Sequence, residues 1–205
     1  MKIICVSGQF CSGKTTAIDI MAQYLPNSAI IHGDIFLSDA LLKHEKEFKE
    51  IYNVQLDHDK PTASLRSVNN KQTAESVKTY MKFCNIFMPY IESKIKKAVA
   101  ENKKQGKDFI IVEYVSLPSF KIWEYADYRI MIVPDKGIRT KKLYERTIAK
   151  REYNEDFELI RENAFMNIID NAENIDFIIT NNFDENFEKD LVCLSQRLAL
   201  DIDSR

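Results

Sequence analysis

Gly8-Gln9-Phe10-Cys11-Ser12-Gly13-Lys14-Thr15 follows directly on the apolar run Ile3-Ile4-Cys5-Val6 and takes two of the chain's five glycines. The pattern is Gly-x-x-x-x-Gly-Lys-Thr, a phosphate-binding loop. Gly8 and Gly13 permit backbone angles and a close approach that a Cβ would obstruct, so the N–H groups along Cys11, Ser12 and Gly13 can turn inward on phosphate oxygens. Lys14 adds a mobile positive charge for the β- and γ-phosphates. Thr15 offers a hydroxyl to Mg²⁺, Thr16 extends the set, and the helix that begins here aims the positive end of its dipole at the same anion. The chemistry implied is nucleoside-triphosphate binding, with ATP and Mg²⁺ as the expected cofactors.

Working outward, Ala17, Ile18, Ile20, Met21, Ala22 and Leu25 fall at helical spacing before Pro26. Further strand-like runs lie at Ser28 to Gly33, Phe109 to Tyr114, Tyr128 to Val133 and Phe177 to Thr180, after a first at Lys2 to Ser7. These are mostly continuous apolar segments separated by helical patterns. That predicts an α/β fold: a five-stranded parallel sheet covered by helices on both faces, doubly wound in β-α-β units. Residues 34–107 hold helical patterns at Ser38 to Tyr52 and Thr73 to Asn102, with the aperiodic, Pro61-containing stretch Asn53 to Asn70 between them read as an exposed loop. This is the expected helical acceptor-binding insertion. Residues 138–171 carry a second helical pair with grouped basic residues, Arg139, Lys141, Lys142, Arg146, Lys150, Arg151 and Arg161. They are either helix-surface charges paired with Glu145, Glu152 and Glu158, or a lid closing over the triphosphate, for which Arg146 and Arg151 are the strongest candidates.

The 205 residues are 45% hydrophobic, enough for one sizeable core, so one domain over 1–205 is the expectation. A net charge of −2 gives no global basic field for nucleic acid or an anionic membrane. With no long apolar run and no signal-peptide pattern, a cytoplasmic protein is expected, as a monomer or small homo-oligomer acting on a small molecule. Cys5, Cys11, Cys84 and Cys193 are scattered and read as reduced thiols, with Cys5 and Cys193 in the core. The lysines from Lys94 to Lys107 read as the wet face of a helix, and Asp57-His58-Asp59 as a turn.

The fate of the γ-phosphate rests with carboxylates at strand ends. Asp34 follows Ile30-Ile31-His32-Gly33, on the rim where open parallel sheets bind ligands. It can orient and deprotonate an acceptor hydroxyl, hold Mg²⁺ through water, or cap the helix after it. Glu113 closes Phe109-Ile110-Ile111-Val112, where it either anchors the metal and its waters or is a surface charge. The chain has no Asn-Lys-x-Asp for reading guanine. A small kinase remains, with catalysis resting on positioning and charge neutralisation.

Four regions resemble the dephospho-CoA kinases: Gly8 to Thr16; His32-Gly33-Asp34; Met88-Pro89-Tyr90-Ile91 with Ile110 to Glu113; and Leu143-Tyr144-Glu145-Arg146 through Arg151 and Arg161 to Ile175 to Asn182. The resemblance implies a P-loop kinase that phosphorylates the ribose 3′-hydroxyl of dephospho-CoA, the last step of coenzyme A synthesis. Asp34 would be the base, Arg146 and Arg151 would lie on the transferring phosphoryl, and Asn181 would lie near the adenine. The chain departs from the family at Met88 (His there), Glu113 (Asp) and Phe165 (usually Gln), and Arg66 stands as a substitute for an Asp-Arg pair of the acceptor region. These departures gather on the acceptor side. A nucleoside or nucleotide kinase of the same fold and a nucleotide-gated binding protein remain alternatives.

Overall fold

The computed structural model describes residues 1–69, 74–148 and 172–203. The run before the phosphate loop is strand β1 (Lys2–Gly8), buried along its whole length. It is the central strand of a sheet ordered β2-β3-β1-β4-β5, with β2 at Ser28–His32, β3 at Phe109–Glu113, β4 at Tyr128–Pro134 and β5 at Phe177–Asn181. All the pairings are parallel, and each strand falls within a residue of its expected bounds.

Successive side chains of a strand point to opposite faces, and both faces are dry. On one, Ile3, Cys5, Ile31, Ile110, Val112 and Met131 pack beneath the helices of residues 36–104. On the other, Ile4, Val6, Phe109, Ile111, Ile130 and Ile132 meet Ala17, Ile18, Met21 and Leu25 of α1 (Lys14–Tyr24). The same layer takes Phe187, Leu191, Leu194 and Leu198 from the C-terminal helix (Glu185–Asp203). Truncating a fully buried member such as Ile4 to Ala would cost about 2–5 kcal/mol, because the close-packed strand cannot collapse into the void.

Among the described residues the stretch from 34 to 107 is mainly helical, with two differences from the sequence reading. The pattern over 38–52 is two helices, α2 (Phe36–Lys43) and α3 (Glu45–Tyr52), broken at His44, whose φ of −113° and ψ of 30° leave the helical region. Within the stretch taken as a loop, Pro61–Asn69 form helix α4. Pro61 sits at the helix start, where its missing N–H costs nothing. The Asp57 carboxylate accepts from the N–H groups of Asp59 (2.9 Å) and Lys60 (3.2 Å), turning the chain into it, and Leu65 is buried beneath. The long helix α5 (Ala74–Lys104) carries Pro89 in its interior. Its lysines form the expected wet face, with Lys96 on Glu92 and Lys97 on Glu101.

A short helix α6 (Lys121–Tyr125) precedes β4, α7 (Lys136–Ile148) follows it, and α8 is the C-terminal helix, Glu185–Asp203. Cys5 is fully buried as expected, but Cys193 is exposed, on the wet side of α8. Among the described residues no helix is long and apolar enough to cross a membrane.

Candidate active site

Parallel strands all end on one rim, so Gly8, His32, Glu113, Pro134 and Asn181 are brought to the same edge of the sheet. β1 passes into the phosphate loop at Gly8, where a Cβ would stand 2.5 Å from the Ile132 carbonyl oxygen and 2.7 Å from Ser12 Oγ. Gly13 has a φ of +91° and begins α1 with no side-chain cap. The first N–H groups of that helix are therefore left to the loop's concave side. Cys11 also has a positive φ, 58°. Thr15 and Thr16 are exposed on the first turn, while Ser12 is buried. A cradle that a Cβ would fill, at the uncapped start of a helix, suits a phosphate group.

A Cβ on Gly13 would press on the side-chain amide of Asn181. That residue is 1% exposed; its Nδ2 donates to the Ser12 carbonyl (2.8 Å) and its Oδ1 accepts from the Phe183 N–H (2.7 Å). The structure thus places Asn181 beneath the loop, as a brace joining β5 to it.

Lys14 is 9% exposed. Its ammonium donates to the Gln9 carbonyl at 3.0 Å, lies 3.8 Å from Glu113 Oε1 and sits over the Phe10 ring at 5.9 Å. Glu113 is buried at 4% exposure, which removes the surface-charge reading. Its second oxygen, Oε2, lies 3.2 Å from His32 Nδ1. Strand register fixes this contact, since Glu113 is opposite Val6 on one side and His32 on the other. The sequence pattern alone gives His32 no role of its own, since it lies too far from His44 and His58 for a metal triad and enters otherwise as part of a matched tripeptide.

Asp34 lies two residues beyond His32, exposed, in a short 3₁₀ turn over Gly33–Ile35. Neither that turn nor α2 has a side-chain cap, so the capping reading of Asp34 is set aside. Gly33 is packed on Tyr114, whose ring atoms would lie 2.6 Å from a Cβ there. The Tyr114 hydroxyl donates to Met88 Sδ at 3.6 Å, and its ring stacks on Phe120 with centroids 5.7 Å apart. Burial first, then the nearby negative charge of Asp34, pushes the Tyr114 hydroxyl well above the ordinary phenol range. It therefore stays protonated and serves as a neutral floor near Asp34.

On the far side of the loop, Asp135 opens α7: its N–H donates to the Asn181 carbonyl (3.1 Å) and its Oδ1 accepts from the Ile138 N–H (2.9 Å). Lys142 places its ammonium 4.4 Å from the Phe183 ring centroid. Arg139 is buried and Arg146 lies further along the same helix. Arg151, Arg161, Phe165 and the expected second lid helix lie outside the described residues. No group of three or more His, Cys, Asp or Glu side chains able to hold a metal by themselves occurs among the described residues. The Asp57-His58-Asp59 stretch forms a turn, with His58 paired to Glu45 at 2.8 Å.

The strand, glycine loop and helix at the rim of this five-stranded parallel sheet define a P-loop nucleotide-binding fold. Among solved structures, the chain is similar to the protein TT1252 from Thermus thermophilus (TM-score 0.66, 14% identity, 97% of this chain and 96% of that one). It is also similar to dephospho-CoA kinase from Campylobacter jejuni (TM-score 0.54, 20% identity, 96% of each chain). Shikimate kinase from Bacteroides thetaiotaomicron is a third such structure (TM-score 0.52, 16% identity, 96% of this chain and 97% of that one). No family model matches the sequence, and the comparison with curated proteins gives no match. The chain therefore has the fold that P-loop kinases share, at an identity that speaks to fold alone.

Proposed function

We propose that this chain is an ATP- and Mg²⁺-dependent kinase that phosphorylates a hydroxyl of a small acceptor, with dephospho-CoA the first acceptor to test. The observation that carries this reading is the rim itself: Lys14 in its loop, buried Glu113 on the adjacent strand, and exposed Asp34 in the turn after the strand beyond.

In this reading the loop N–H groups and Lys14 hold the triphosphate, and Asn181 keeps the loop's shape from below through Ser12. Thr15 and Glu113 are the residues that would hold a divalent cation, which supplies charge neutralisation on the phosphates when bound. Asp34 accepts the proton of the acceptor hydroxyl at a carboxylate oxygen as the oxygen attacks. Arg146 and Arg151, on the lid region 138–171, neutralise charge on the transferring group. Residues 34–107 form the acceptor-binding insertion of one kinase domain.

A second reading, a nucleoside or other uncharged hydroxyl compound as acceptor, is favoured by Ile35, which stands 62% exposed beside Asp34. Met88, at the position of the family's histidine, is also occupied inside the fold by the Tyr114 hydroxyl. The test is ADP formation with ATP and Mg²⁺ across dephospho-CoA, nucleosides and mononucleotides. Stimulation by dephospho-CoA alone supports the first reading, and stimulation by an uncharged nucleoside supports the second. ATP binding with no turnover on any acceptor contradicts both and makes the chain a nucleotide-gated binding protein.

A further inference from the structure

His32 stands at the end of β2, an edge strand of the sheet, directly across the ladder from Glu113. Its Nδ1 lies 3.2 Å from Glu113 Oε2, while the other carboxylate oxygen, Oε1, faces the Lys14 ammonium at 3.8 Å. Only 5% of the Glu113 side chain is exposed, against 37% for His32. The buried carboxylate therefore has its two oxygens assigned to two partners of different kinds. One is a phosphate-loop lysine on a four-carbon stem; the other is a ring fixed to the neighbouring strand.

These partners respond differently to a ligand. In the reading above, Lys14 reaches toward phosphate when a nucleotide enters, and Glu113 Oε1 is then turned to the ligand side of the rim. A carboxylate with one oxygen unheld can rotate about its last torsion, which is broad and has no deep staggered wells. A carboxylate with the other oxygen held by a strand-anchored ring cannot do so freely. Outer partners of this kind orient the group that faces a metal and its waters, and they are worth roughly 10–100-fold in metal affinity or activity.

We propose that His32 is a positioning residue of the nucleotide site: by holding Oε2 of Glu113 it fixes Oε1 toward Lys14 and the ligand side. The site thereby gains affinity for a nucleotide that carries Mg²⁺ over the same nucleotide without it. This inference rests on the phosphate-loop reading and goes beyond it, since His32 stands on β2, outside the loop. It assigns His32 a part in metal-nucleotide selectivity that is separate from the proton acceptor Asp34 two residues on.

The experiment is calorimetric titration of ADP and of a non-hydrolysable ATP analogue, each with and without MgCl₂, into the full chain. The variants are His32→Ala, His32→Asn and, as a control remote from the rim, His58→Ala. The expected result is that His32→Ala loses about tenfold of the Mg²⁺-dependent gain in affinity while binding the Mg²⁺-free nucleotides like wild type. His32→Asn places an amide N–H near the Nδ1 position and restores most of the gain; His58→Ala leaves it unchanged. Three results overturn the inference alone: a full Mg²⁺ gain in His32→Ala, equal losses with and without Mg²⁺, or no rescue in His32→Asn. A wild-type chain that binds neither nucleotide overturns the phosphate-loop reading and this inference together.

Discussion

The two sides of the rim, to which the proposed function gives the nucleotide and the acceptor, are built in opposite ways. The nucleotide side is assembled from residues distant in sequence and fixed by buried polar contacts: Asn181 to the Ser12 carbonyl, Glu113 to Lys14 and His32. Its geometry is over-determined, since Gly8 and Gly13 have no room for a Cβ. The acceptor side is a run of helices, α2 to α5, packed mainly through apolar and aromatic side chains such as Phe48, Phe83 and Phe87, with exposed Ile35 at its edge. The difference teaches where specificity can vary. Buried hydrogen-bonded networks tolerate little substitution, whereas apolar packing accepts exchange at conserved volume. Under the proposed function, phosphate handling and acceptor choice are thus separable in this fold.

The comparison breaks most directly at Asp34, the exposed carboxylate two residues beyond His32. Asp34→Asn is expected to lower kcat by about 10²–10⁴-fold, the usual worth of a positioned general base, with ATP affinity unchanged in a binding titration. Loss of ATP affinity instead would place Asp34 on the nucleotide side. Next in size is Asn181→Ala, which leaves the Ser12 carbonyl and the Phe183 N–H without their buried partner. A loss of about 1–3 kcal/mol in unfolding free energy is expected, together with weaker ATP binding; denaturant unfolding with and without ATP checks it. Tyr114→Phe removes the hydroxyl on Met88 Sδ and should cost about 1 kcal/mol or less. It should move acceptor KM in steady-state assays while leaving ATP KM unaltered.

The smallest effect is far from the rim. The hydrogen bond that the His58 ring donates to Glu45, followed by the Glu45 charge, raises the pKa of His58. A group whose pKa is raised on folding contributes stability that is fully present below its unfolded value, about 6.5, and is lost as pH rises through the raised value. The melting temperature of wild type should therefore slightly exceed that of His58→Ala near pH 5.5 and match it near pH 8. Because both side chains face solvent, the difference will be small.

What the sequence disclosed follows the same division. β1, the loop and α1 are contiguous, so residues 2–24 carry their own signal in glycine spacing and periodicity. Glu113 is visible as a strand-ending carboxylate, but its bond to His32 depends on strands 81 residues apart falling into register. The brace from Asn181 to Ser12 spans 169 residues, so only the folded chain reveals it. On the acceptor side, α4 was hidden because Pro61 and Asp57 act as breakers in the middle of an element and as starters at its beginning. α8 was legible in principle: Phe187, Leu191, Leu194 and Leu198 recur at helical spacing, and Asp184 accepts from the N–H groups of Asn186 and Phe187 at its start. The exposure of Cys193 follows from its place off that stripe.

Equilibrium binding of ATP with Mg²⁺ to wild type and to Lys14→Ala tests the central claim most directly, because Lys14 joins the loop to Glu113. The account predicts one saturable site in wild type and a loss of affinity of about 100-fold in a variant that still melts cooperatively. Equal binding by the two proteins, or none by the wild type, would contradict it.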